Sequence, residues 1–109
     1  MTSHHQNTVA VITGGTQGLG LAVARRLAQE GAQGIVICGR DAAKGRGAEA
    51  ELRALGVPCR YVQADMAQPE DCYRVVDAAV ESYGRVNVLV NNAAITTRGG
   101  LLDTDIALW

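Results

Sequence analysis

The feature that most constrains this chain is a glycine-rich run at residues 13–20, reading TGGTQGLG. It follows an unbroken stretch of mostly apolar, β-branched residues at 8–13 (TVAVIT) and opens onto a segment with helical periodicity. A β-branched run of that length without polar alternation suits a strand buried on both faces, as in a parallel sheet. Gly14, Gly18 and Gly20 stand at G-x-x-x-G-x-G spacing, and a strand before and a helix after give such a cluster its meaning. Gly14 allows the sharp turn, Gly18 lets the backbone approach a pyrophosphate, and Gly20 permits close packing of helix on strand. Free amide N–H groups at the helix start, with the dipole behind them, attract negative charge. Residues 15–20 also fit the G-x-x-x-x-G of a nucleoside-triphosphate loop. Leu21 and Ala22, however, follow where Lys and Ser/Thr are required, which argues against that reading. A glycine-rich turn with no ligand is the remaining alternative.

Further along, strand-like runs at 34–38 (GIVIC), 59–63 (CRYVQ) and 86–91 (VNVLVN) alternate with helix-like runs. The first helix is predicted over 18–30, with Gly20, Val23, Ala24, Leu27 and Ala28 on one face. Arg25, Arg26, Gln29 and Glu30 point away, and Gly31 is its stop. A second helix over about 42–55 would bury Ala48, Leu52 and Leu55, although Gly45 and Gly47 each weaken it by roughly 1 kcal/mol. The third begins at Pro69, with Glu70 and Asp71 complementing the dipole. Its predicted buried face is Cys72, Val75, Val76, Ala79, Val80 and Tyr83, and Gly84 ends it. Asp103 or Thr104 would cap a fourth helix just before Trp109, a sign of truncation. Strand and helix at this spacing predict an α/β fold with a parallel sheet and right-handed crossovers.

Composition narrows the function. Over 109 residues, enough for one domain, the formal net charge is -1, which gives no electrostatic case for nucleic acid or an anionic membrane. No Phe is present and aromatics are only 4%, so base stacking on an aromatic platform is not expected either. No run is long and apolar enough to span a bilayer, and residues 1–8 lack the charged and apolar regions of a secretory signal. His4 and His5 read as part of a polar tail over 1–7 rather than a metal site, since no further ligand stands at a fixed spacing. Cys38, Cys59 and Cys72 are odd in number and irregularly spaced, and Cys38 and Cys72 read as small core residues. Reduced thiols and the missing signal together point to the cytoplasm.

The motifs taken in order resemble the short-chain dehydrogenase/reductase family. The family's T-G-x-x-x-G-x-G is present at Thr13 to Gly20. Its N-N-A-G after the fourth strand is met by NNAA at 91–94, with Ala94 replacing the glycine. Its acidic residue after the third strand is met by Asp65 in QADM. The resemblance implies a Rossmann-type doubly wound sheet of order 3-2-1-4 over residues 8–109. It also implies that Thr16, Gln17, Gly18 and Leu19 line the pyrophosphate and adjoining ribose. Asp65 would accept from the adenine amino group, with the Met66 backbone beside it. Asn91, Ala93 and Ala94 would lie along the cofactor, with Asn91 also tying the central strands together.

Cofactor choice turns on the end of the second strand, where a carboxylate selects the NAD ribose and an arginine accommodates the 2′-phosphate of NADP. The uncharged Gly39 holds the acidic position and Arg40 follows, which favours NADP(H), with NAD(H) as the alternative. Asp41 is read as the cap of the next helix. The family's catalytic Tyr-x-x-x-Lys, Ser and Asn all belong downstream of Trp109. Tyr61, Tyr73 and Tyr83 are followed four residues on by Asp65, Asp77 and Asn87, and Lys44 is the only lysine. No residue here is therefore assigned as catalytic or metal-binding. The resemblance implies an oxidoreductase fragment whose parent acts on a small carbonyl or alcohol, as a homo-oligomer. The alternative is a non-catalytic dinucleotide-binding or sensor module. Against that alternative, order 3-2-1-4 leaves the apolar fourth strand at an edge.

Overall fold

The structure, a computed structural model, describes residues 7–91. Expectations for His4, His5, Ala93, Ala94 and a helix capped at Asp103 or Thr104 lie outside them. Strand and helix alternate throughout: β1 (Val9–Thr13), α1 (Gly18–Gln29), β2 (Gly34–Gly39), α2 (Ala42–Ala54), β3 (Cys59–Gln63), α3 (Pro69–Tyr83) and β4 (Val88–Asn91). The strands form one sheet of order β3-β2-β1-β4. Every pairing is parallel, with Val11 opposite both Val36 and Leu89, and Ile37 opposite Tyr61.

Parallel strands covered on both faces need apolar residues at consecutive positions, and β1 is buried along its whole length. Because side chains alternate across a strand, its residues divide between two layers. Ala10 and Ile12 pack with Ile35, Ile37, Leu21, Ala24, Ala28, Ala48 and Leu52 under α1 and α2. Val9 and Val11 pack with Val36, Cys38, Val62, Val75, Ala78 and Ala79 under α3. The first two crossovers thus cover one face and the third covers the other.

Several side chains differ from the periodic expectation. Val76 and Val80, predicted to be core, are 40% and 49% exposed. The stripe of α3 that meets the sheet runs through Val75, Ala78 and Ala79, and its Arg74 reaches the Gln63 carbonyl at the end of β3. Val76 and Val80 therefore fall on the flank turned away from β3. Cys72 and Tyr83 are only half-buried. Leu55, also predicted to be core, is 45% exposed, because it follows the last residue of α2 and the chain turns away at Gly56. On α1 the buried set includes Leu21, while Val23 and Leu27 are half-covered at its margin. The fourth strand starts at Val88 rather than 86, and Asn87 before it exchanges hydrogen bonds with Val9.

Candidate functional site

The turn between β1 and α1 is fixed from beneath. The Gly14 amide donates to the Cys38 carbonyl at 2.9 Å, locking the turn to the end of β2. Gly14 and Gly18 have φ of 68° and 58°, in the left-handed region that side chains disfavour. A Cβ at Gly18 would meet nothing within 4 Å, so the space over that backbone is open. Gly15 is constrained differently: a Cβ there would come within 2.8 Å of Ile37. Only glycine lets the turn lie on the sheet at that position, a requirement the spacing of Gly14, Gly18 and Gly20 did not reveal.

Gln17, Gly18 and Leu19 are exposed, Thr16 is half-buried and Gly20 is buried against the sheet. Gln17 precedes α1 in an extended conformation and makes no side-chain cap, and no acidic residue stands in the first turn. The first turn of α1 therefore has neither a side-chain cap nor a carboxylate to meet its leading amide groups. A Cβ at Gly39 would lie 3.2 Å from the Thr16 side chain, so Thr16 sits against the end of β2.

That end is held by β3. The Tyr61 hydroxyl donates to the Gly39 carbonyl at 2.7 Å, and the Gln63 carboxamide donates to the Arg40 carbonyl at 3.1 Å. Burial pushes the Tyr61 phenol above its ordinary pKa, consistent with a hydroxyl kept as a donor. Arg40 projects at the rim of a hollow of about 330 Å³, lined also by Gln63, Ala64, Asp65, Asp71 and Arg74. Its guanidinium makes no ion pair among the described residues. Asp41, by contrast, is committed to the fold, since its carboxylate accepts from the Ala43 and Lys44 amides at 3.0 and 3.2 Å.

Across the hollow, Asp65 spends one carboxylate oxygen on the Ala67 amide at 3.0 Å. Its own amide donates to Asp71 at 2.7 Å, and Arg74 binds the other Asp71 oxygen at 3.0 Å. The Asp65 amide, and then the Arg74 guanidinium, hold the Asp71 carboxyl below the usual carboxylate range. Met66 is half-buried, its sulfur 3.7 Å from that of Cys38. At the other side of β1, the Thr13 hydroxyl lies 3.1 Å from the Asn91 side chain, which ties β1 to β4.

Thr16, Gln17, Gly18, Leu19, Arg40, Asp65 and Asn91 thus gather at the carboxyl end of the sheet. There α1 departs to one face while α3 covers the other. Such a switch in direction beside β1 opens a crevice suited to a nucleotide. Asp71 and Arg74 of the hollow, and the Lys44 ammonium 2.8 Å from the Gln17 side-chain oxygen, were not read from sequence as site residues. Asp71 carried one signal, its place in the first turn of α3. The 27-residue separation of Lys44 and Gln17 carried none.

Burial pushes the Cys38 and Cys59 thiols up to about 11 and about 12, which keeps them protonated at neutral pH. Among the described residues no cluster of three metal-ligating side chains occurs, and no helix is long and apolar enough to cross a membrane.

Comparison with known proteins agrees with this architecture. Short-chain dehydrogenase/reductase 3 of Homo sapiens is 37% identical over 95 residues, covering 87% of this chain and 32% of that protein. The NADP-dependent (R)-specific alcohol dehydrogenase of Lentilactobacillus kefiri is 37% identical over 109 residues, 100% of this chain and 42% of the relative. Among solved structures, a variant of actinorhodin polyketide ketoreductase with NADPH superposes with a TM-score of 0.75. It has 39% sequence identity, over 84% of this chain and 34% of that one. The chain thus spans between about a third and two fifths of the length of these relatives. The family model described as short chain dehydrogenase matches residues 8–109, and the chain belongs to that family.

Proposed function

We propose that residues 8–109 form the nucleotide-binding part of an NADP(H)-dependent oxidoreductase that acts on a carbonyl or alcohol. The observation that carries this reading is the uncapped start of α1 over an open Gly18, with Arg40, which makes no ion pair among the described residues, just past the neighbouring strand end. The backbone amides around Gly18 and Leu19 would hold the pyrophosphate. The hollow beside Asp65 would take the adenine, and Arg40 the 2′-phosphate. Gly39 supplies no carboxylate for a ribose 2′-hydroxyl, and Asp41 is occupied in capping α2. The names of the alcohol dehydrogenase relative and the ketoreductase structure, NADP-dependent and NADPH-bound, support the same choice.

When bound, the nicotinamide supplies hydride exchange, while this part of the chain binds and orients the dinucleotide. The proton transfer that accompanies hydride exchange needs an acid–base group such as a Tyr-x-x-x-Lys pair, which these 109 residues do not contain. A cytoplasmic, homo-oligomeric parent completes the proposal. Calorimetric titration tests it. NADPH should bind more tightly than NADH, and Arg40→Ala should remove most of the difference while leaving NADH affinity in place. Equal affinities in the unmutated chain would remove the NADP(H) assignment.

A further inference from the structure

We propose that Lys44 is a specificity-determining residue whose ammonium acts with Arg40 on the 2′-phosphate of NADP(H). The inference rests on the NADP(H) reading above. Lys44 lies in the first turn of α2, and its Nζ donates to the Gln17 side-chain oxygen at 2.8 Å. That contact crosses from α2 to the pyrophosphate turn, so the cation stands on one side of the space between the two elements. Arg40 stands on another, at the rim of the hollow assigned to adenine. In a dinucleotide the adenosine ribose is covalently between adenine and pyrophosphate. Two cations, one at the adenine hollow and one at the pyrophosphate turn, therefore bracket the ribose and whatever its 2′-oxygen carries.

The electrostatics argue that Lys44 is there for a ligand. A cation in the first turn of a helix opposes the helix dipole, so its position does not help α2. Nor does Lys44 make an ion pair among the described residues; its partner, Gln17, is neutral. The other tie between α1 and α2 is of the opposite kind, because Arg25 is fully paired with Glu51. Arg25–Glu51 has the charge balance of a structural bridge, whereas Lys44–Gln17 leaves a positive charge uncompensated. Gln17 thus holds the ammonium near the turn without neutralising it.

The test uses the 109-residue chain and separates the phosphate from the rest of the ligand. Calorimetry should show Lys44→Ala weakening NADPH by about tenfold, the loss expected for one charge-assisted hydrogen bond, with NADH unchanged. Lys44→Arg should restore most of the loss. Lys44 is the only lysine, so reductive ¹³C-methylation labels one side-chain amine. Its resonance should shift with 2′,5′-ADP and stay in place with 5′-AMP. If Lys44→Ala binds NADPH as tightly as the unmutated chain, or both adenosine phosphates shift the resonance alike, the Lys44 assignment falls and the Arg40 reading stands. If the unmutated chain shows no NADPH preference, both fall.

Discussion

The first turns of α1 and α2 lie close together at the same edge of the sheet, bridged by Lys44 and Gln17, yet they are built in opposite ways. At α2, the Asp41 carboxylate accepts from the leading amides of Ala43 and Lys44, so the helix start is satisfied within the chain. At α1, Gln17 caps nothing, the first turn has no acidic residue, and Gly18 leaves open space above the backbone. The α2 start spends its side chains on its own stability. The α1 start leaves donors exposed, a cost that a fold accepts where an external anion completes the site. Substitutions in the two turns should therefore separate stability from binding.

The largest effect on stability is expected inside α2. A Cβ at Gly45 would lie 2.1 Å from the ring of Tyr61, whose hydroxyl is anchored on the Gly39 carbonyl. Gly45→Ala gains about 1 kcal/mol of helix propensity but forces that ring aside. A net destabilisation of about 1–3 kcal/mol should appear in denaturant unfolding. Because Tyr61 also positions the Arg40 strand end, NADPH preference should fall with it. An unchanged midpoint would show that the ring has another place to go.

Asp41→Ala comes next. Loss of the cap should cost about 1 kcal/mol of stability. The carboxylate is assigned no ligand contact, so NADPH affinity should not fall. A variant that unfolds no more easily but binds NADPH less well would break the contrast between the two turns.

Much of this was legible in the sequence because it rests on local rules. The β-branched runs at Val9–Thr13 and Gly34–Gly39 locate buried parallel strands, and the glycines between strand and helix locate the turn. What escaped was pairwise. On α3 the periodicity accommodates Val76 and Val80 as readily as Ala78, and only the seating of Arg74 over β3 chooses between the stripes. Gly45 reads as a weak point in a helix until Tyr61 is seen filling the space its missing side chain leaves. Lys44 and Gln17 belong to different elements, and no spacing rule relates them. The hollow is similar: Asp65 could be placed from the family pattern, but the Asp71 and Arg74 that brace it depend on how α3 docks.

The most direct test places a carboxylate where α1 lacks one. Leu19 is 61% exposed in the first turn, so an acidic side chain fits there and complements the dipole. Leu19→Asp should leave stability unchanged or raise it by about 0.3–1 kcal/mol. In calorimetric titration the same variant should bind NADPH at least about tenfold more weakly, because the new charge repels the pyrophosphate at close range. Undiminished NADPH binding by a folded Leu19→Asp chain would contradict the account, since the pyrophosphate would then lie somewhere other than the start of α1.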